Sequence, residues 1–303
     1  MPQLVEQKES KADLSKRVSL TKILVTTDFS EVSDRALDYA IALARRYDAR
    51  IYLTHVITPD PFQFAEPQLA QATYEKVRQA AEEGITDILI SGKLRGVPHE
   101  VLMEEGNVWP TLEKMIVEHE IDLVVAGTHG RGKVQKILIG SVAEEIFRRA
   151  TTAVLTVGPA VKGGAKEIDL NHILFATDCG PGAERAAAHA FSLAQEHNAH
   201  LTLLHVIESA AAYTEESVAR QREINIVRMK QLMPPGTENW CKPEFRVTFG
   251  SAVEEILIAS RESKADLVVM GAKARKSLAG HVPLTIAYNV VTKATCPVLT
   301  VRG

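Results

Sequence analysis

The chain carries one sequence pattern twice. KILVTTDFS at Lys22–Ser30 lies over HILFATDCG at His172–Gly180, an offset of 150 residues. The alignment continues without a gap to His55–Ile57 over His205–Ile207. Identities include Ile23/Ile173, Leu24/Leu174, Thr27/Thr177, Asp28/Asp178, Arg35/Arg185, Leu43/Leu193, Ala49/Ala199 and His55/His205. Further along, the offset is 144. Gly106 then matches Gly250, DLVVAG at Asp122–Gly127 matches DLVVMG at Asp266–Gly271, and ATTAVLTV at Ala150–Val157 matches ATCPVLTV at Ala294–Val301. The second copy is therefore six residues shorter in its middle, where loops absorb length change most easily. A duplication on this scale fixes the architecture before any motif is read, because both copies must share one fold.

Each copy alternates two kinds of segment. Short apolar runs rich in β-branched residues, such as ILVTT and IYLTHVI, read as strands. Between them lie helical patterns. In 34–46, Leu37, Ala40, Ile41 and Ala44 recur at helical spacing. The pattern then predicts a helix near 71–83, a strand near 100–104, a helix near 111–118 and a strand at 122–126. A glycine-rich loop, a helix at 141–149 and a strand at 153–157 complete the copy. This alternation implies an α/β fold, a parallel sheet covered on both faces by helices with right-handed crossovers.

The length of 303 residues fits two domains of roughly 100–200 residues each. GPAVKGGAKEID at Gly158–Asp169 holds three glycines and one proline, as a boundary should. The division expected is a flexible arm at 1–21, domain one at 22–158, a linker at 159–170 and domain two at 171–303. Aromatic residues are only 5% of the chain, so the cores must be built from Ala, Val, Leu and Ile. A net charge of -3 argues against nucleic acid as an obligate partner, since phosphate-backbone binders need a cationic surface. Cys179, Cys241 and Cys296 form no CxxC pair and no zinc spacing, which fits inert thiols in a reducing compartment. The polar start of the chain lacks a signal-peptide core, and no run of about 18 apolar residues occurs. The expectation is a cytoplasmic protein without membrane insertion.

The chemistry concentrates after the strand DLVVA, in G127-T-H-G130-R-G132-K-V-Q-K-I-L-I-G140-S141. In open parallel sheets, ligands bind at the carboxyl ends of the strands. Glycines let backbone N–H groups approach an anion without a Cβ in the way, and a helix N-terminus favours phosphate. Plainer readings stand beside this one. The glycines can make only a tight turn, Ser141 and Glu144 fit an S-x-x-E capping box, and Arg131 and Lys133 can be solvated charges. The run G127-x4-G132-K133 imitates a P-loop, but Val134 stands where the magnesium-holding hydroxyl belongs, so a P-loop is rejected.

Three segments together resemble the universal stress protein family: T27-D28-F29-S30-E31 after the first strand, H55-V56-I57 ending the second, and G127-x2-G130-x9-G140-S141. The likeness covers both copies. It implies two tandem Rossmann-like domains of the adenine nucleotide alpha hydrolase-like type, each a five-stranded parallel sheet flanked by helices. It also implies a bound ATP, with Mg or Mn, in domain one. Thr27 and Asp28 would line the nucleoside pocket, Asp28 facing ribose or the metal-phosphate region. Val56 would pack on adenine and offer it backbone hydrogen bonds. Gly127, Gly130, Gly140, Ser141 and Val142 would contact ribose and phosphate, and His129 and Arg131 would screen phosphate charge. The plainer alternatives are a loop-capping Asp28 and a core Val56.

The second copy departs from this pattern. It reads G271-A-K-A274 and then L284-T285, so two of the three glycines are gone. Cys179 and Gly180 replace Phe29 and Ser30. Domain two is therefore expected not to hold ATP in the family's manner, although Lys273, Arg275 and Lys276 could attract another anion. His55 and His205 are expected to be strand-end residues rather than metal ligands. The last strand of each copy is short and apolar, a pairing surface. The family resemblance implies dimerisation through this strand, here as an intramolecular pseudo-dimer, with a homodimer of chains also open. Three functions compete: a nucleotide-dependent stress or signalling protein with at most slow hydrolysis, an ATPase or nucleotidyl transferase, and a ligand carrier or interaction scaffold.

Overall fold

Both copies deliver their strands into one sheet. The computed structural model describes residues 18–58, 67–128, 141–165, 167–208, 214–272 and 286–302. The first copy runs β1 (Lys22–Thr26), α1 (Glu31–Tyr47), β2 (Arg50–Ile57), α2 (Pro67–Ile90), β3 (His99–Glu105), α3 (Val108–Glu118), β4 (Leu123–Gly127), α4 (Ser141–Arg149) and β5 (Ala153–Val157). The second runs β6 (His172–Ala176), α5 (Ala183–His197), β7 (His200–Ile207), α6 (Glu215–Gln231), β8 (Glu244–Phe249), α7 (Ala252–Glu262), β9 (Leu267–Ala272), α8 (Ile286–Lys293) and β10 (Val298–Arg302). The strand order across the sheet is β3-β2-β1-β4-β5-β10-β9-β6-β7-β8. Within each copy all pairs are parallel, and the two halves meet where β5 runs antiparallel to β10. The expected five-stranded α/β architecture of each copy is thus present.

The sequence explains which strands sit inside. Ile23, Leu24, Val25, Val124 and Val125 are fully buried, and β5 is buried along its whole length. Such continuous Val/Ile/Leu runs mark strands covered on both faces. Burying each of these side chains contributes about 1.5–3 kcal/mol. The outer strands β3 and β8 are half exposed and carry Glu100, Glu104, Glu105, Glu244 and Arg246. Charges on an edge discourage further strand addition. One core cluster spans both halves on the face of α1 and α5, joining Leu43 and Leu155 to Leu193 and Leu299. The opposite face carries a separate cluster under α3 and α4 and another under α7 and α8.

Helix ends follow local chemistry. The Ser30 side chain caps α1 by accepting the Ser33 N–H, and Glu31 and Asp34 occupy the first turn. Asp48 ends the helix at φ 53°, and Asn198 repeats that conformation at φ 53° after α5. Asp and Asn tolerate the left-handed region best among residues with a Cβ. The helix expected near 71–83 continues to Ile90. It passes through Gly84, where a Cβ would lie 2.6 Å from the Phe29 ring. That glycine serves packing, so it does not break the helix. Among the described residues, no helix is long and apolar enough to cross a membrane.

Candidate functional site

The residues singled out in the first copy converge on the carboxyl edge of its half of the sheet. Thr27 follows β1, Val56 lies near the end of β2, and Gly127 ends β4. Val25 lies opposite Val125 in the sheet, so the same register carried two residues on sets Thr27 level with Gly127. Ser141 and Val142 open α4, and Val142 packs on the same apolar cluster as Val56. His129, Gly130, Arg131 and Gly140 lie outside the described residues. The capping role suggested for the Ser141 side chain lies outside them too.

Hydrogen bonds bend the chain sharply after β1. The buried Thr27 donates its N–H to Thr54 O at 2.9 Å. Its hydroxyl accepts the Phe29 N–H at 3.0 Å, and the Asp28 carboxylate accepts the Ser30 N–H at 3.1 Å. Phe29 sits at φ 62°, a left-handed conformation that costs a residue with a Cβ about 1–2 kcal/mol. Contacts offset that strain: the Phe29 ring stacks on His55 at 4.7 Å between centroids and packs against Gly84. The reading of Asp28 as a loop cap is therefore realised, and the residue remains half-exposed.

His55 holds the end of the strand. Its Nδ1 lies 2.8 Å from Thr27 O and donates to it, since a carbonyl can only accept. The second copy repeats the bond, with His205 Nδ1 at 2.9 Å from Thr177 O. Among the described residues no cluster of His, Cys, Asp or Glu could hold a metal ion. The bond also affects Val56. Ile51 donates to Pro98 O and Ile57 accepts from Gly106, so odd-numbered residues of β2 turn their backbone groups toward β3. Thr54 accepts from Thr27, so even-numbered residues turn theirs toward β1. By that alternation Val56 directs its N–H and C=O toward β1, where the chain turns away at Asp28. The Thr27 carbonyl, which a continuing ladder would offer to Val56, is engaged by the His55 ring.

Gly127 is fixed by a close approach. A Cβ there would stand 2.9 Å from Ser33 N and 3.0 Å from Val32 C. The first turn of α1 thus rests directly on the end of β4. Ser33 anchors this contact, its hydroxyl donating to Ser30 O at 2.9 Å and lying 3.3 Å from Thr27 Oγ1. Sequence reasoning missed Ser33. The signal was present, since Ala183 replaces it in the second copy.

The second copy keeps the strand ends and loses this first turn. Thr177 donates to Leu204 O, and Asp178 accepts the Gly180 N–H at 2.9 Å. Pro181 and Gly182 then delay α5, which starts at Ala183, with Gly182 at φ 85°. A Cβ on Gly271 would meet nothing within 4 Å. The residues 273–285, including Ala274 and Leu284, lie outside the described residues. All three cysteine thiols are pushed above their ordinary value by burial, Cys296 to about 12.

Comparison with known proteins matches this arrangement. A universal stress protein of Mycolicibacterium smegmatis is 27% identical over 293 residues, covering 92% of this chain and 96% of that protein. A universal stress protein of Methanocaldococcus jannaschii is 30% identical over 137 residues, 45% of this chain and 81% of that one. The crystal structure of a universal stress protein from Archaeoglobus fulgidus superposes with a TM-score of 0.66 at 19% identity, covering 93% of this chain and 98% of that chain. It shares the fold. The model of the universal stress protein family matches residues 19–158 and again 170–302. With both halves of the duplication matched, the chain belongs to the universal stress protein family as a tandem member.

Proposed function

We propose that the first half of this chain binds ATP at its sheet edge and that the protein is a nucleotide-dependent stress-response or signalling protein. The observation that carries the reading is the gap beyond β1. The chain turns away at Asp28, so the Val56 main chain faces that gap. A donor and an acceptor on adjoining backbone groups suit the edge of an adenine. Asp28 and Thr27 stand beside the ribose position. Gly127, His129, Gly130, Arg131, Gly140, Ser141 and Val142 form the phosphate side, their spacing supplying N–H groups near the start of α4. A Mg or Mn ion would travel with the triphosphate near Asp28.

In this reading ATP is a ligand that shifts the population of a binding-competent state, not a substrate for rapid turnover. The second half is structural or takes a different ligand. Its α5 starts later, and its glycine pattern is broken at Ala274 and Leu284. Domain one then comprises 22–158 and domain two 171–303, with an arm at 1–21 and a linker at 159–170. The two form an intramolecular pseudo-dimer about β5 and β10, in a cytoplasmic protein. Titration calorimetry of the full chain with magnesium ATP tests the reading. One site per chain that disappears in Gly140→Leu supports it, and two equivalent sites refute the asymmetry.

A further inference from the structure

The junction of the two halves lies on a local twofold axis. Leu155 faces Leu299 at the centre of the β5–β10 pairing, and these two are the same position in the two copies. Contacts along the axis therefore join a position to its own counterpart. Tyr47 Oη lies 3.0 Å from His197 Nε2, an offset of 150. Arg46 donates to the Glu196 carbonyl at 3.2 Å, again an offset of 150. A cavity of about 40 Å³ on the same axis is lined by Leu43 with Leu193, Leu155 with Leu299, and the unlike Tyr39 with His189. The leucines of the lining are the same in both copies, including Leu20 with Leu170 and Leu123 with Leu267, while Val18 has Ile168 as its counterpart. Among the polar contacts across the junction, Tyr47–His197 and Arg46–Glu196 join unlike residues, whereas Thr300, which donates to Val154 O at 3.3 Å, has the same residue, Thr156, as its counterpart.

Off-axis contacts show the same division. Val18, in the segment leading into β1, donates its N–H to the Ser192 hydroxyl at 2.9 Å, and the counterpart of Ser192 is Ala42. Arg302 donates to the Phe147 and Arg148 carbonyls at the end of α4. The counterpart of Arg302 is Gly158, where a Cβ would stand 2.6 Å from Val291 O, at the end of α8. Each half thus carries the partner of the other's group.

We propose that this face is a specificity surface that accepts the unlike half and rejects a second copy of itself. Pairing first half to first half would set Arg46 beside Arg46 and Tyr47 on Tyr47. It would leave the Val18 N–H facing Ala42 and the α4 carbonyls facing Gly158. Pairing second half to second half would set Glu196 beside Glu196 and His197 on His197. It would also bring Arg302 to the α8 end, where even a Cβ has no room. The cost falls on the wrong pairings, and specificity is a difference between the two outcomes. The exposed Arg46 contact adds little by itself. The half-buried Tyr47–His197 pair and the Arg302–Gly158 exchange carry the discrimination. A homodimer interface on a twofold axis is self-complementary by necessity. Here duplication has freed the two sides to diverge, so the preferred partner of the first half is the second half and not the matching face of another chain.

A swap experiment on the full chain tests this. Tyr47→His and His197→Tyr each create a like pair, and each is expected to lower the melting temperature. The double variant restores an unlike pair in reversed order and is expected to recover most of the loss. A double variant that loses the sum of the two singles overturns the proposal. A second measurement reads pairing directly. In Leu155→Cys the new thiol faces Leu299 if unlike halves pair, and faces its own copy in another chain if like halves pair. Mild oxidation is expected to leave as little covalent dimer as in the parent chain. A covalent dimer linked through position 155 overturns the proposal.

Discussion

Adding one methyl group at Gly127 should cost stability, and adding it at the matching Gly271 should not. The Cβ of Gly127→Ala would sit 2.9 Å from Ser33 N, 3.0 Å from Val32 C and 3.1 Å from Ser33 Cα. These are backbone atoms in the capped first turn of α1, so no side chain can rotate away. Either β4 or the turn must shift by a few tenths of an ångström. Overpacking of this kind costs about 1–3 kcal/mol. For a chain of this size that lowers the melting temperature by roughly 2–5 °C. At Gly271 nothing lies within 4 Å. Gly271→Ala should instead stabilise by about 0.4–1 kcal/mol, because alanine restricts the unfolded chain. Differential scanning calorimetry of both variants beside the parent measures the difference. Gly127→Ala should also weaken ATP binding, since the contact sets where Thr27 and Asp28 lie. Equal shifts at the two positions, or no loss at Gly127, would refute the account of how α1 rests on β4.

Further outcomes follow from the same geometry. His55→Phe keeps the ring packing on Phe29 but removes the bond to the Thr27 carbonyl, which should cost about 0.5–1.5 kcal/mol in urea unfolding and weaken nucleotide binding. Burial holds His189 and His197 below the ordinary imidazole value of 6.5, with the Arg46 charge adding at His197, so folding favours their neutral forms. The unfolded chain then binds protons first. The stability from these groups is full above about pH 6.5 and is lost as pH falls toward their lowered values, so the urea midpoint should drop between pH 7 and pH 5. Cys296 is buried with its thiol pushed up to about 12, so iodoacetamide at pH 8 should leave it unmodified in the native chain and label it after unfolding.

Much of the fold is legible in the sequence because duplication and hydrophobic period are local signals. ILVTT and DLVVA announce strands buried on both faces, and both prove so. The grouping of Thr27, Asp28, Val56 and Gly127 follows from the family resemblance, and the structure sets all four at or near the carboxyl ends of strands. What escaped depends on contacts between segments far apart in the chain. Gly84 resembles a helix end by composition, and only the Phe29 ring beside it explains why the helix runs on. Ser33 looks like an ordinary helix-surface serine until β4 is laid against it. Tyr47 and His197 look like unconstrained drift between copies. Their meaning appears only when the sheet places them across an axis.

Isothermal titration of the intact chain with magnesium ATP, repeated with Val56→Pro, bears most directly on the central claim. Proline removes one backbone N–H from a half-exposed position on β2. Heat corresponding to a single nucleotide per chain is expected, lost in the proline variant while circular dichroism shows the fold retained. Unchanged affinity in that variant, or no heat in the parent chain, would contradict that claim.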